Sequence, residues 1–238
     1  MNMENLFFIF LGISIILLEL VIIKKNYDTF NSKDIKEKYF FLPLTTLFNV
    51  SIVLLGLILN VSIDSPYALT ILLGMSIGLV GDFNNVSINE NRISFILGSF
   101  IFIMSYLIYS LALFHTSGGF LVPLDLIIIS GALLLYLLSL KSNWDSNYVE
   151  SMGKFRFITC FYPIMLLFLL SRAIINCFHS NLPLISVIIL TSGILLILIT
   201  DIEFSMDKFF KPVDKMIGPI LYPLGQLAIA LSTIVITI

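Results

Sequence analysis

Charge is scarce in this chain. Asp, Glu, Lys and Arg make up 12% of its 238 residues, about half the share of a soluble domain. That excludes a charge-coated, fully solvated surface. The net charge of −2 excludes a basic face for nucleic acid and a polybasic lipid switch. Cysteine is as rare. Cys160 and Cys177 fall near opposite ends of one apolar run, roughly 25 Å apart as a helix, too far to bond. The two histidines, His115 and His179, are expected in short loops without further soft ligands, so no metal is expected. No cofactor is expected either. The one tryptophan, Trp144, stands with Tyr148 after an apolar run, where both suit membrane-interface anchoring.

What is abundant is apolar sequence, 58% of all residues. It comes in runs long enough to cross a hydrocarbon core as helices. Eight spans are expected, at 5–23, 39–61, 67–81, 93–114, 120–140, 157–175, 183–200 and 216–238. The third is the shortest. The runs are continuous rather than alternating, which excludes a bacterial-type barrel. The first residues, MNMEN, carry no Lys or Arg and no small-residue cleavage site follows, so the first span is not expected to be a cleaved signal peptide. The expected fold is an all-α membrane protein with one transmembrane domain over residues 1–238.

Basic residues set an expected orientation. Lys24, Lys25, Lys33, Lys36 and Lys38 follow the first span, and Arg92 follows the third. Lys141, Lys154 and Arg156 follow the fifth, and Lys208, Lys211 and Lys215 the seventh. The exception is Arg172. These alternate connections are therefore expected to be cytoplasmic, with both termini extracytoplasmic in the cell membrane.

The halves 1–119 and 120–238 resemble each other. A shift of about 120 residues lays Pro43 on Pro163 and Gly98, Phe102 and Tyr106 on Gly218, Tyr222 and Gln226. A shift of 119 lays Gly74 and Asp82 on Gly193 and Asp201. Two pseudo-symmetric four-helix halves are expected, related by a two-fold axis along the membrane normal.

Two spans thus stop at an aspartate, one reading GMSIGLVGD to Asp82, the other GILLILITD to Asp201. A carboxylate near lipid is costly, which makes it a functional candidate. At a helix C-terminus it also opposes the helix dipole, a placement that helix stability alone does not favour. Asp82 and Asp201 are the candidate catalytic residues, as a pair for acid–base work. Tyr106, Tyr109, Tyr222 and Gln226 lie on helical stripes with Gly98 and Gly218 and are candidate substrate-binding residues. Lesser expectations are a Glu19–Lys pair by snorkelling, an Asp125–Arg172 ion pair, and Asn49 and Asn60 as contacts of the second span with its neighbours.

With these residues the chain resembles the YhhN/TMEM86 family, multi-pass membrane proteins that include lysoplasmalogenases. The likeness rests on GLVGD at 78–82, on Gly98, Phe102, Tyr106 and Tyr109, on Thr200-Asp201, and on Tyr222 with Gln226. It departs where the family usually has His, here Tyr106, and where it often has Lys-Pro, here Leu42-Pro43. The resemblance implies hydrolysis of the vinyl ether bond of a lysophospholipid substrate taken from membrane lipid, with Asp82 and Asp201 as the acids. The residues alone also suit a proton-coupled transporter or flippase, or a non-catalytic membrane scaffold.

Overall fold

The computed structural model describes residues 14, 17–25, 27–28, 42–87, 92–117, 123, 126–127, 130–131, 134, 156–209 and 217–234. Six helices have defined bounds: α1 Leu42–Ile58, α2 Ser65–Ser87, α3 Arg92–Thr116, α4 Arg156–His179, α5 Leu184–Phe209 and α6 Gly218–Leu231. Residues 17–25 are helical too, as are the described positions between 123 and 134. Among the described residues the only extended pairing is an isolated bridge between Ser62 and Ile234.

Among the described residues, three stretches are long and apolar enough to cross a membrane: Ser65–Asn84, Leu97–Thr116 and Leu184–Phe204. Leu42–Ile58, Ile164–His179 and Gly218–Leu231 are shorter apolar helices. Their outer faces are apolar: Leu69, Leu73 and Val80 on α2, Leu107 and Leu111 on α3, and Ile188, Leu195 and Ile199 on α5 are all exposed. Polar residues are inside, among them Glu19, Thr46, Asn49, Asp82, Ser110, Arg172, Asn176 and Gln226. A helical protein with lipid-like residues outside and polar residues inside is a membrane protein.

Several expectations change. The third span, shortest in the sequence, lies in a 23-residue helix, and the seventh lies in one of 26 residues. Asp82 and Asp201 therefore do not end their helices, and the dipole argument lapses. An apolar run stops at a polar residue, but backbone hydrogen bonding does not. The last span is shorter than expected. Its helix starts beside Pro219, ends at Leu231, and turns so that the Thr233 carbonyl accepts the Ile63 amide. His115 and His179 close α3 and α4 rather than lying in loops. Asn60 is exposed, with φ 53°. It turns the chain after α1, with the Val61 amide on the Gly56 carbonyl. Glu19 does not snorkel. It is fully buried and accepts a bond from Asn49. Asp125 lies outside the described residues. Arg172 is buried, donates to Ser117 at 2.6 Å, and lies 3.8 Å over the Phe114 ring.

Each helix packs on the next in sequence, and α6 returns to α1, so the six close a ring. The tightest contacts involve glycine. A Cβ on Gly193 would lie 2.7 Å from the Gly225 carbonyl oxygen, and one on Gly225 would lie 2.8 Å from that of Gly193. Only glycine at both positions lets α5 and α6 approach so closely. On α2, a Cβ at Gly74 would meet the Tyr109 ring at 2.5 Å and the Ser105 carbonyl at 3.4 Å. These approaches bring α2 against α3, and α5 against α6, at the levels from which the polar side chains reach inward.

Candidate active site

Asp82 projects from α2 into the ring and is buried. Its Oδ2 accepts the Thr46 hydroxyl of α1 at 2.5 Å. The Tyr222 hydroxyl of α6 donates to the same carboxyl, 3.1 Å from Oδ1 and 3.3 Å from Oδ2. Asp201 projects from α5 and is half-buried. Its Oδ2 accepts Tyr106 of α3 at 2.9 Å and Tyr162 of α4 at 2.7 Å. The two phenol oxygens are themselves 3.1 Å apart. While Asp201 Oδ2 carries no proton, two phenols supply only two protons, so all three short contacts cannot be hydrogen bonds at once. When both donate to Asp201, the phenol–phenol approach is a contact only.

The two carboxyls lie within electrostatic range of each other. They form one centre, whose members come from all six helices. Each acid takes one hydroxyl from the helix just before its own, and a tyrosine from a helix at least two elements away. Asp82 draws on α1 and α6, Asp201 on α4 and α3. Tyr109 donates to Gln226 Oε1 at 3.4 Å, linking α3 to α6 beside the acids. That gives the buried Gln226 amide the partner it needs. All six sequence-derived site residues thus fall in or beside this centre.

Three contributors were not singled out from the sequence. Thr46 is one of two adjacent threonines in α1, and nothing in its spacing marks it. Tyr162 precedes Pro163, the counterpart of Pro43 in the 120-residue shift, and that pairing was its available signal. Glu203 lies two residues beyond Asp201 and caps α6. Its Oε1 accepts the Ile217 amide at 2.9 Å, and its Oε2 accepts the amide of Gly218. A carboxylate there meets the positive end of the helix dipole. It fixes the start of α6, one turn before Tyr222.

A ring of apolar helices around two buried, hydroxyl-bound carboxyls is the arrangement of a polytopic membrane protein with a polar centre. The profile of the YhhN family matches residues 38–233, and the chain belongs to the YhhN family. No curated protein and no solved structure matches it.

Proposed function

We propose that the chain is a lysoplasmalogenase-like hydrolase. It would cleave the vinyl ether bond of a lysoplasmalogen to a fatty aldehyde and a glycerophospho-headgroup. The observation that carries the proposal is the paired centre itself: Asp82 and Asp201 inside one helix ring, each oriented by hydroxyl donors, in a YhhN family chain.

Vinyl ether hydrolysis starts with a proton added to the carbon β to the ether oxygen. The resulting oxocarbenium ion takes up water, and the hemiacetal collapses to aldehyde and alcohol. One water is consumed and the proton is returned. A carboxylic acid suits the first step, and a carboxylate suits the cation and the attacking water, as in glycoside hydrolysis. The hydrogen bonds divide the roles. Both oxygens of Asp82 already accept donors. Asp201 takes both phenol hydroxyls on Oδ2, which leaves Oδ1 to carry and deliver the proton. Asp82 then stabilises the cation and draws a proton from water. Tyr222 orients Asp82, while Tyr109 and Gln226 border the space beside it.

The reading includes an eight-span, two-half architecture in the cell membrane, both termini extracytoplasmic. Equivalent packing supports the halves. Gly74 faces Ser105 and Tyr109, while Gly193 faces Gly225 and Ile229, the positions 120 residues on. The placement of twelve of thirteen Lys and Arg residues in alternate connections supports the orientation.

The test is aldehyde release from a lysoplasmalogen by purified protein in lipid nanodiscs. Stoichiometric aldehyde and glycerophospho-product support the hydrolase. Release from no lysoplasmalogen headgroup, with the acids instead needed for proton-coupled solute or lipid movement, would favour the transporter.

A further inference from the structure

The two ends of the helix ring are not alike. At the near end α2 and α5 finish and α6 begins. At the far end Ser62 pairs with Ile234. The acids lie close to the near end. Asp82 is five residues from Ser87, the last of α2, and Asp201 is eight from Phe209, the last of α5, which is about 7 Å and about 12 Å of helix. Toward the far end each helix runs on for 17 residues, from Asp82 back to Ser65 and from Asp201 back to Leu184, about 25 Å.

That longer part is closed. Tyr109 of α3 donates to Gln226 of α6 at 3.4 Å. Helices α3 and α6 stand opposite each other in the ring, so this contact crosses its middle. Farther from the acids, the Tyr67 hydroxyl of α2 meets the Ser232 hydroxyl after α6 at 2.8 Å. All four side chains are buried. Around them Ile71, Met75, Ala112, Leu113, Ile194 and Ala230 belong to one buried apolar core. Such an interior is close-packed and leaves no room for water or for a hydrocarbon chain. The short part differs. Asp201 and Tyr162, in contact at 2.7 Å, are both half-buried, so solvent meets the centre at these two side chains.

We propose that Tyr109 and Gln226 are the floor of a blind site, which admits the headgroup and glycerol of a lysolipid from the near end and leaves its hydrocarbon chain outside the ring. That the occupant is a lysolipid rests on the hydrolase reading; the blindness of the site does not. Only a bond close to the polar end of a lipid then reaches the acids, and the vinyl ether oxygen is borne by the glycerol itself. The polar product leaves by the end it entered, and the chain stays in the bilayer. A transporter, by contrast, needs its site open to each face in turn.

The test reads access, so it does not depend on turnover. Cysteine is introduced singly at Asp201, Ala112, Ala230 and Asn60. Intact cells and inside-out vesicles are treated with a small, permanently charged thiol reagent, and peptide mass spectrometry locates the label. Asn60 is exposed at the far end, so Asn60→Cys marks that face. Asp201→Cys should be labelled from the opposite face only. Ala112→Cys and Ala230→Cys, small changes in the core, should be labelled from neither face until the protein is denatured. Label on either of them in the folded protein overturns the proposal. So does label on Asp201→Cys from the Asn60 face, or from no face. Should Asp201→Cys not fold, a water-soluble carbodiimide with an amine should modify wild-type Asp201 from that same opposite face only, and any other result overturns the proposal. A 1-O-alkyl lysolipid with a photoreactive diazirine at its chain end should attach to outward side chains such as Leu195 and Ile199, which are exposed. Attachment to Ile71, Met75 or Leu113, or to nothing, overturns the exclusion of the chain. One-sided labelling without aldehyde release in the separate assay would keep the blind site and remove the hydrolase. Aldehyde release with two-sided labelling would do the reverse.

Discussion

Replacing either acid by asparagine separates chemistry from folding. Asp82 is surrounded by hydroxyls, Thr46 and Tyr222, and Asp201 by two more, Tyr106 and Tyr162. A hydroxyl both donates and accepts. In Asp82→Asn the amide oxygen keeps one donor, and Thr46 can rotate to accept the new amide. In Asp201→Asn both phenols can stay on the amide oxygen. The fold should therefore change in stability by no more than about 1 kcal/mol. Catalysis should not survive as well. An amide can neither deliver a proton to carbon nor draw one from water, and it carries no negative charge to meet an oxocarbenium ion. General acid–base contributions of about 100- to 10,000-fold correspond to about 3–5 kcal/mol of barrier. Each variant should lose aldehyde release by that factor at saturating substrate, with its thermal melt nearly unchanged. The double variant should be little worse than the more damaged single, because the carboxyls act on one reaction centre. Both variants keeping most of the wild-type rate would refute the two-carboxylate mechanism.

Other expectations follow from single contacts. Gly193→Ala drives a Cβ against the Gly225 backbone oxygen at 2.7 Å and should cost about 1–3 kcal/mol in thermal unfolding. Gly131→Ala meets nothing within 4 Å among the described residues and should be neutral or up to about 1 kcal/mol stabilising. Tyr106→Phe and Tyr162→Phe each leave Asp201 Oδ2 one phenol, so each should cost at most about tenfold in rate. Together they should cost more than the product of the singles, and simple multiplication would show that the phenols do not share that oxygen. Glu203→Ala removes both amide contacts at the start of α6 and should lower stability by about 1–2 kcal/mol, with Glu203→Gln between it and the wild type by thermal melt.

The helical class was legible because apolar residues outlast any soluble pattern, and the acids were legible because each interrupts such a run. The ends of α2 and α5 were not. Asn84 follows Asp82 within α2, and Glu203 follows Asp201 within α5. The helices continue past the apolar boundary because their hydrogen bonds are local. Tyr106 and Tyr222 were visible through their stripes with Gly98 and Gly218, but their partners were not. Which acid each reaches depends on how four helices rotate about one another, and the glycine contacts at Gly74 and Gly193 set part of that rotation. Thr46 gave no signal, since threonines in apolar helices commonly bond their own backbone, as Thr45 does to the Leu42 carbonyl. Glu19 was misplaced for a related reason. Lys24 and Lys25 are near in sequence, while Asn49 is near only once α1 packs beside residues 17–25.

The most direct test of the chemistry at Asp82 and Asp201 is hydrolysis of a lysoplasmalogen in deuterated water, with the aldehyde trapped at once and weighed by mass spectrometry. Proton delivery to carbon expects one deuterium on the carbon next to the aldehyde carbonyl, in product that the Asp82→Asn and Asp201→Asn proteins fail to form. No aldehyde, or aldehyde without that deuterium, would contradict it.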